Sequence, residues 1–219
     1  MAVTIAPSFA CQHHPARPHL ELRVARKVRR SGYPCEVVVD PDPFGPTNPW
    51  RCAREAWRRT PDDCTHRVVI QDDALLCTSF APAVAKALAA QPTGVVTFFV
   101  SWIAHGQGRA VIDACERCAS WARLPQTGWY PHVAVALPRD DARSLSAFHV
   151  TDRQIADDLV LANWAHANHR EVWATVPSLA DHDETQVSTI AGHVVKNARR
   201  AAACHIGDHH PRLVDWTQR

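Results

Sequence analysis

Several features that would identify a function class outright are missing from this sequence of 219 residues. No uninterrupted apolar run approaches the roughly 18 to 20 residues that a membrane span needs, and the N-terminal residues lack the basic and apolar regions of a signal peptide. The formal net charge is only +2, which excludes a histone-like polycation. Glycine is scarce, with eight residues, and no glycine-rich phosphate loop is found. We therefore expect a cytoplasmic protein with no membrane span.

The composition itself is that of a globular protein. Hydrophobic residues make up 46% and charged residues 21% of the chain, close to the globular average, so disordered and fibrous classes are excluded. Eight cysteines are present, but the chain is too long for a small secreted disulfide scaffold, and we interpret them as mostly free thiols. Fourteen histidines are unusual, and several occur in groups.

Short β-rich runs alternate with helical patterns along the chain. This alternation predicts an α/β fold of the GT-A-like or Rossmann-like kind, with a mostly parallel sheet flanked by helices on both faces. No convincing linker divides the series, so we predict a single domain over 1–219, with 205–219 as a flexible tail. The predicted strands are 3–5, 37–39, 67–70, 94–102, 132–137 and 171–176; the predicted helices are 20–31, 48–57, 79–88, 109–121 and 151–167.

Three polar motifs could support chemistry. Asp72 and Asp73 directly follow the clearest strand, so they should lie at the carboxyl edge of the sheet, where open α/β folds bind ligands. Adjacent acids repel unless a cation offsets their charge, and hard oxygen ligands suit Mg²⁺ or Mn²⁺. His182 follows the last predicted strand between two acids, as a metal ligand could. Asp157 and Asp158 lie in a predicted helix, where only one of the two can share a face with a given target.

These motifs together resemble those of compact GT-A type glycosyltransferases, a kind found in bacteria and phages. The resemblance rests on T-H-R-V-V-I-Q-D-D-A (65–74), W-Y-P-H-V-A-V-A-L-P (129–138), D-D-x-x-x-x-x-W (157–164) and V-P-S-L-A-D-H (176–182). It spans approximately residues 13 to 192. The family implies a GT-A fold, a nucleotide-sugar donor and a divalent cation.

The resemblance assigns a role to several residues. Asp73 and His182 would ligate Mn²⁺ or Mg²⁺ beside the donor diphosphate, with Asp72 next to them on the donor side. Gln71 holds the first place of the family's D-x-D motif, where an acid commonly contacts the donor ribose. Asp158, or its neighbour Asp157, matches the general base of inverting members.

Further binding residues are predicted around these. Asp40 follows the second strand, where such folds contact the nucleotide, and Arg17 and Arg54 are donor-side candidates. Trp129 is the aromatic residue chosen for stacking on a sugar. The predicted function is thus a metal-dependent glycosyltransferase that moves a sugar from a nucleotide-sugar donor, with a UDP-sugar as the first candidate. The acceptor is a hydroxyl group of a protein, a glycan or a modified nucleic acid.

Two alternatives stay open. Cys115 and Cys118 form a C-x-x-C motif, and a zinc-stapled nucleic-acid-binding module would complete the site with Cys204 and His205. Against this, the two cysteines share a helical stripe with apolar residues, as buried thiols would. The second alternative is a nucleotidyltransferase, which also uses acid-bound metal on an α/β sheet.

Overall fold

We describe the protein from a computed structural model. The described residues are 4–43, 49–91, 93–102, 106–126, 130–150, 156–186, 201–207 and 211–218.

The described part of the chain contains a central sheet of seven strands in the order β2-β1-β3-β7-β5-β8-β6. Five strands run in one direction, and β6 and β7 run in the other. The sheet is therefore mostly parallel and Rossmann-like, as predicted. Its strands are β1 (Pro7–His13), β2 (Cys35–Val39), β3 (His66–Gln71), β5 (Val95–Thr97), β6 (Trp121–Arg123), β7 (Ala134–Pro138) and β8 (Val172–Thr175). Two further strands, β4 (Ala74–Leu76) and β9 (Ala180–His182), form a separate antiparallel pair.

Helices cover both faces of the sheet because the strands are apolar on both sides. Phe9 and Cys11 of β1 belong to one core cluster and Ala10 between them to the other, as the alternation of side chains along a strand requires. Helices α1 and α3 pack in the first cluster, and α2, α4, α5 and α6 in the second. The helices are α1 (Leu20–Arg29), α2 (Pro49–Arg58), α3 (Phe80–Ala90), α4 (Gln107–Glu116), α5 (Arg139–Ser146) and α6 (Asp157–Ala167).

Several predicted boundaries are wrong. The first strand lies at Pro7–His13 rather than 3–5. The apolar run 94–102 is a strand only as far as Thr97, whose hydroxyl binds the backbone of Phe99 and turns the chain out of the ladder. The helix predicted over 109–121 ends at Glu116, because the chain takes a left-handed conformation at Cys118 and continues into β6. Helix α5 was not predicted.

The C-terminal residues contribute to the core. Trp216 is only 6% exposed and its ring lies 5.7 Å from that of Trp121, centroid to centroid. Trp121 Nε1 also donates to the backbone carbonyl of Trp216 at 2.9 Å. The segment 211–218, predicted as part of a flexible tail, is therefore attached to β6. None of the described helices is long and apolar enough to cross a membrane.

Candidate functional site

Two polar clusters lie at the edge of the sheet where β1 and β3 end. Gln12 and Gln71 are neighbours in the parallel ladder, so the residues after them point to the opposite face of the sheet. The acid-pair cluster consists of His13, Arg17, Asp72, Asp73 and His182. The Asp157 cluster consists of Gln12, Gln71, His132 and Asp157.

Asp72 is held by three donors from the start of the chain. Its Oδ2 lies 2.9 Å from His13 Nδ1 and accepts the backbone N–H of His14 at 2.9 Å. Its Oδ1 accepts from Arg17 Nη1 at 2.9 Å. Because Asp72 is only 2% exposed, these partners replace the water that an ionised carboxylate would otherwise need. The end of β1 and the residues that follow it therefore form the binding environment of this acid.

Asp73 shares the same guanidinium. Arg17 Nη1 donates to its Oδ2 at 2.6 Å, and His182 Nε2 lies 3.3 Å from that oxygen. His182 is placed there by the pairing of β9 with β4, in which it faces Ala74. Burial opposes ionisation of Asp73, but the hydrogen bond with His182 and the charge of Arg17 outweigh it and lower the pKa of this carboxyl. Asp73 is thus an anion next to a built-in cation.

Whether the site could bind the predicted divalent cation depends on which carboxylate oxygens are not already hydrogen-bonded. Asp73 Oδ1 is buried and accepts no hydrogen bond within the described residues, so one carboxylate oxygen is left for an ion. The described ranges contain no group of three or more His, Cys, Asp or Glu side chains that could hold a metal. The residues therefore fit Mg²⁺ held by one carboxylate, nucleotide phosphates and water, which is its common mode of binding, and do not fit an ion enclosed by protein ligands.

Asp157 is the centre of the second cluster. It is 6% exposed at the start of α6, and its Oδ2 accepts from Gln12 Nε2 at 3.3 Å and from Gln71 Nε2 at 3.4 Å. His132 Nδ1 lies 3.1 Å from the same oxygen. Burial acts to raise the pKa of Asp157, but His132 and the two amides outweigh burial, and the pKa is lowered. Gln71, predicted to contact a ribose, thus binds an acid of α6 in this structure.

The orientation of His132 follows from its other nitrogen. Trp57 Nε1 donates to His132 Nε2 at 3.2 Å, and an indole N–H can only donate. His132 Nε2 is therefore the acceptor, and the ring proton is on Nδ1, which lies 3.1 Å from Asp157 Oδ2 but makes no hydrogen bond within the described residues. A buried tryptophan of α2 thus fixes the tautomer next to the acid.

Asp158 has a different environment from its neighbour. Burial and the charge of Asp157 raise the pKa of Asp158 to about 6. Its Oδ1 accepts the backbone N–H of Leu159 at 2.8 Å. A carboxylate with this pKa can take up a proton near neutral pH. Of the two candidates for a general base, Asp158 has the more suitable environment, while Asp157 is engaged by three side chains.

Asp40, predicted to contact the nucleotide, is engaged by Arg51 of α2. Arg51 Nε donates to Asp40 Oδ1 at 2.8 Å and Arg51 Nη2 to Oδ2 at 3.0 Å, a bidentate pair. Burial acts against the ionised form, but the hydrogen bonds with Arg51 lower the pKa of Asp40. Arg51 was not predicted as a binding residue. It lies three residues before Arg54 on the same predicted helix, and this spacing could have indicated it.

The other predicted binding residues do not join the two clusters. Arg54 is exposed, and its Nε donates to the backbone carbonyl of Ser146 at the end of α5. Trp129 lies outside the described residues. Sequence reasoning missed His13 and His132, which stand at or next to strand ends; a correct boundary for β1 would have placed His13 beside Asp72.

The zinc alternative is only partly assembled. Cys115 Sγ and Cys204 Sγ lie 2.9 Å apart, so the structure brings two of the four proposed ligands together. Within the described residues, however, neither Cys118 nor His205 joins them to form a group that could hold a metal. A zinc-stapled module is therefore not supported.

Of the comparisons with known proteins, only the structural one finds similar proteins. No family model matches it, and a search of curated proteins finds no match. Among solved structures, it is similar to a 4-diphosphocytidyl-2C-methyl-D-erythritol synthase from Anaerococcus prevotii DSM 20548, with a TM-score of 0.45, 10% identity and coverage of 80% of this chain and 91% of that chain. It is also similar to an inositol-1-phosphate CTP transferase from T. maritima, with a TM-score of 0.41, 9% identity and coverage of 81% and 91%.

These comparisons correct the predicted function. Both names refer to cytidine nucleotides and neither to a sugar transferase, so the primary prediction of a glycosyltransferase is wrong and its UDP-sugar donor is unsupported. The resemblance to GT-A enzymes holds at the level of the Rossmann-like sheet. At these identities the likeness assigns no role to any residue of this chain.

Proposed function

We propose that this chain is a nucleotidyltransferase, an enzyme that binds a nucleoside triphosphate and transfers its nucleotidyl group to an acceptor. The observation that carries the proposal is the buried acid pair, Asp72 and Asp73, bridged by Arg17 at the carboxyl edge of the sheet. Open α/β sheets bind ligands at this edge. The second cluster lies at the same edge, so that a nucleotide and an acceptor could be held between the two.

The charges of the acid-pair cluster suit a triphosphate bound with a cation. Asp73 Oδ1 is the buried oxygen left for Mg²⁺, and the phosphates of the nucleotide would supply its other ligands with water. When bound there, the cation would supply positive charge against the negative charge that develops on the leaving pyrophosphate. Arg17 holds both acids in place, since it contacts Asp72 and Asp73 through the same nitrogen, and its charge helps to lower the pKa of Asp73.

The proton of the acceptor is assigned to Asp158. In the proposed reaction an acceptor hydroxyl oxygen bonds to the α-phosphorus, the bond from that phosphorus to the bridging oxygen breaks, and pyrophosphate leaves. The hydroxyl proton passes to the Asp158 carboxylate, whose pKa of about 6 lies close to neutral pH. Asp157 has a positioning role, because its hydrogen bonds with Gln12 and Gln71 fix the start of α6 against the sheet.

Ligand-induced stabilisation tests the nucleotide-binding part of the proposal. The purified chain is melted with CTP, UTP, ATP or GTP, each with and without Mg²⁺. A cognate nucleotide at about 100 times its dissociation constant should stabilise the fold by about 2.7 kcal/mol, and the effect should depend on Mg²⁺. Absence of stabilisation by every nucleotide would overturn the proposal.

Substitution at the acid pair connects this effect to the site. Asp73→Asn should remove the Mg²⁺-dependent part of the stabilisation, because it removes the charge of the proposed ligand. Asp140→Asn is the matched control, since the side chain of Asp140 is 79% exposed on α5. Release of pyrophosphate on adding candidate acceptors then tests transfer itself.

A further inference from the structure

Two cysteines from distant parts of the sequence meet on the surface of the molecule. Cys115 is in the last turn of α4, and Cys204 belongs to the segment 201–206. Their Sγ atoms are 2.9 Å apart although the residues are separated by 89 positions. Cys118, just after α4, is also exposed. The remaining cysteines are buried: Cys11, Cys35, Cys52, Cys64 and Cys77.

Backbone hydrogen bonds hold the second sulfur in place. Ala203 N–H donates to the carbonyl of Val100 at 2.8 Å, and Ser178 N–H donates to the carbonyl of Cys204 itself at 2.6 Å. Ile206 N–H in turn donates to the carbonyl of Ser178 at 3.1 Å. Cys204 is therefore fixed by its neighbours on both sides, and its approach to Cys115 does not depend on a loose terminus.

We propose that Cys115 and Cys204 form a reversible intrachain disulfide that joins α4 to the segment 201–206. This inference goes beyond the proposed nucleotidyl transfer and does not depend on it. Among the residues the structure describes, the pair does not belong to any group of three or more metal-ligating side chains.

The oxidant is a low-molecular-weight disulfide such as glutathione disulfide. Cys115 is exposed and meets it first: its thiolate attacks one sulfur, displaces one thiolate and leaves a mixed disulfide. Cys204 then attacks the Cys115 sulfur and displaces the second thiolate. The protein pair loses two electrons and two protons, and the external disulfide gains both as two thiols.

The order of attack agrees with the surroundings of each sulfur. Burial and the neighbouring Cys115 raise the pKa of Cys204 to about 12, so this thiol is rarely a thiolate at neutral pH and is a poor first attacker. Within the mixed disulfide it needs only to react with a sulfur already next to it. The contact between the two side chains compensates for its low thiolate fraction.

The link would restrain the neighbourhood of the acid-pair cluster. Ala202 N–H donates to Asp181 Oδ1 at 2.8 Å, and Asp181 directly precedes His182 in β9. The segment that carries Cys204 is thus attached to the strand that carries His182. The disulfide would stabilise this part of the fold without occupying the site.

Peptide mapping tests the proposal. The folded full-length chain is treated with glutathione disulfide, its remaining thiols are alkylated, and the digest is analysed by mass spectrometry. We expect one intramolecular link between the peptides of Cys115 and Cys204, reversed by dithiothreitol. A stable glutathione adduct on Cys115 with Cys204 still open to alkylation would overturn the proposal, as would a link that uses Cys118.

Variants and melting make the test specific to the fold. Cys115→Ser and Cys204→Ser should abolish the link, and the matched control Cys118→Ser should keep it. Because the link closes a long loop, the oxidised protein should melt about 5 to 15 °C above the reduced one. Equal melting temperatures for reduced and fully linked protein would contradict the proposed stabilisation of the fold by the link.

Discussion

Arg17 shows how much one residue can determine at the candidate site. Two adjacent carboxylates, each 2% exposed, would repel strongly if both were ionised without a partner. Arg17 contacts both of them through one nitrogen, and His13 and His182 stand on either side. The pKa of Asp73 is lowered by His182 and Arg17, and Asp72 is held beside it by the same guanidinium.

Asp158→Asn is predicted to separate nucleotide binding from transfer. Removal of a positioned general base lowers rates by about 10² to 10⁴, so transfer should fall by that much while stabilisation by the nucleotide persists. Wild-type transfer should rise with pH through about 6, where Asp158 loses its proton, and the variant should lose this rise. Pyrophosphate release measured across pH provides the test. A wild-type pH profile retained by the variant would contradict the assignment.

The same variant has a second expected effect, on stability. The pKa of Asp158 is higher in the folded than in the unfolded state, so its ionisation opposes folding as pH rises through about 6. Asp158→Asn should therefore increase the free energy of unfolding by about 1 to 3 kcal/mol at pH near 8 and by much less near 4. Urea unfolding at both pH values measures the difference. Asp62→Asn, at a side chain 94% exposed, is the control.

At the scale of elements, the close approach of two strand backbones explains why position 94 is a glycine. Gly94 precedes β5 with a φ of 84°, and a Cβ there would lie 2.8 Å from the backbone oxygen of Glu171. That oxygen accepts the N–H of Val95 at 3.0 Å, the bond that brings β5 beside β8. A side chain at Gly94 would therefore disturb the pairing of two central strands.

Gly94→Ala and Gly32→Ala form a matched pair. Both residues have a φ near 83°, but a Cβ at Gly32 meets nothing within 4 Å. Gly32→Ala should cost about 1 to 2 kcal/mol from the left-handed backbone alone, and Gly94→Ala about 1 to 3 kcal/mol more because of the collision. Chemical denaturation gives both values. Equal losses would show that the strand pairing relaxes without cost.

At the scale of the whole molecule, the sheet separates two hydrophobic cores, and the C-terminal segment completes one of them. Trp216 belongs to the core on the side of α1 and α3, together with Trp121 of β6. Its attachment covers the edge strand of the sheet at the end opposite to β2. The segment 211–218 is therefore part of the fold.

Trp216→Ala tests this role of the C-terminal segment. Loss of a buried tryptophan should destabilise the protein by about 3 to 5 kcal/mol, measured by denaturation followed by circular dichroism. Leu213→Ala is the control, because Leu213 is 82% exposed and surface changes stay within about 0.5 kcal/mol. If 211–218 were the flexible tail that the sequence suggested, both variants would unfold alike.

Local sequence patterns were sufficient to predict the α/β class and the location of the acid pair. Apolar periodicity is local, so the run before Asp72 and Asp73 could be read as a buried strand without knowing its neighbours. Strands with apolar side chains on both faces also required helices on both sides. The same local interpretation failed at the end of β5 and the end of α4. There, Thr97 and Cys118 turn the chain by contacts and backbone angles that apolar patterns do not encode.

The residues that contact the acids could not be predicted from local patterns, because they are selected by the folded chain as a whole. Arg17, Asp73 and His182 come from three separate parts of the chain and are brought together by the ladders of β1 with β3 and of β4 with β9. The direction of α6 likewise turns Asp157 toward Gln12 and Gln71, and the path of 201–206 brings Cys204 to Cys115. Such contacts join residues far apart in sequence, and their partners are selected by packing of the whole chain, which no local pattern contains.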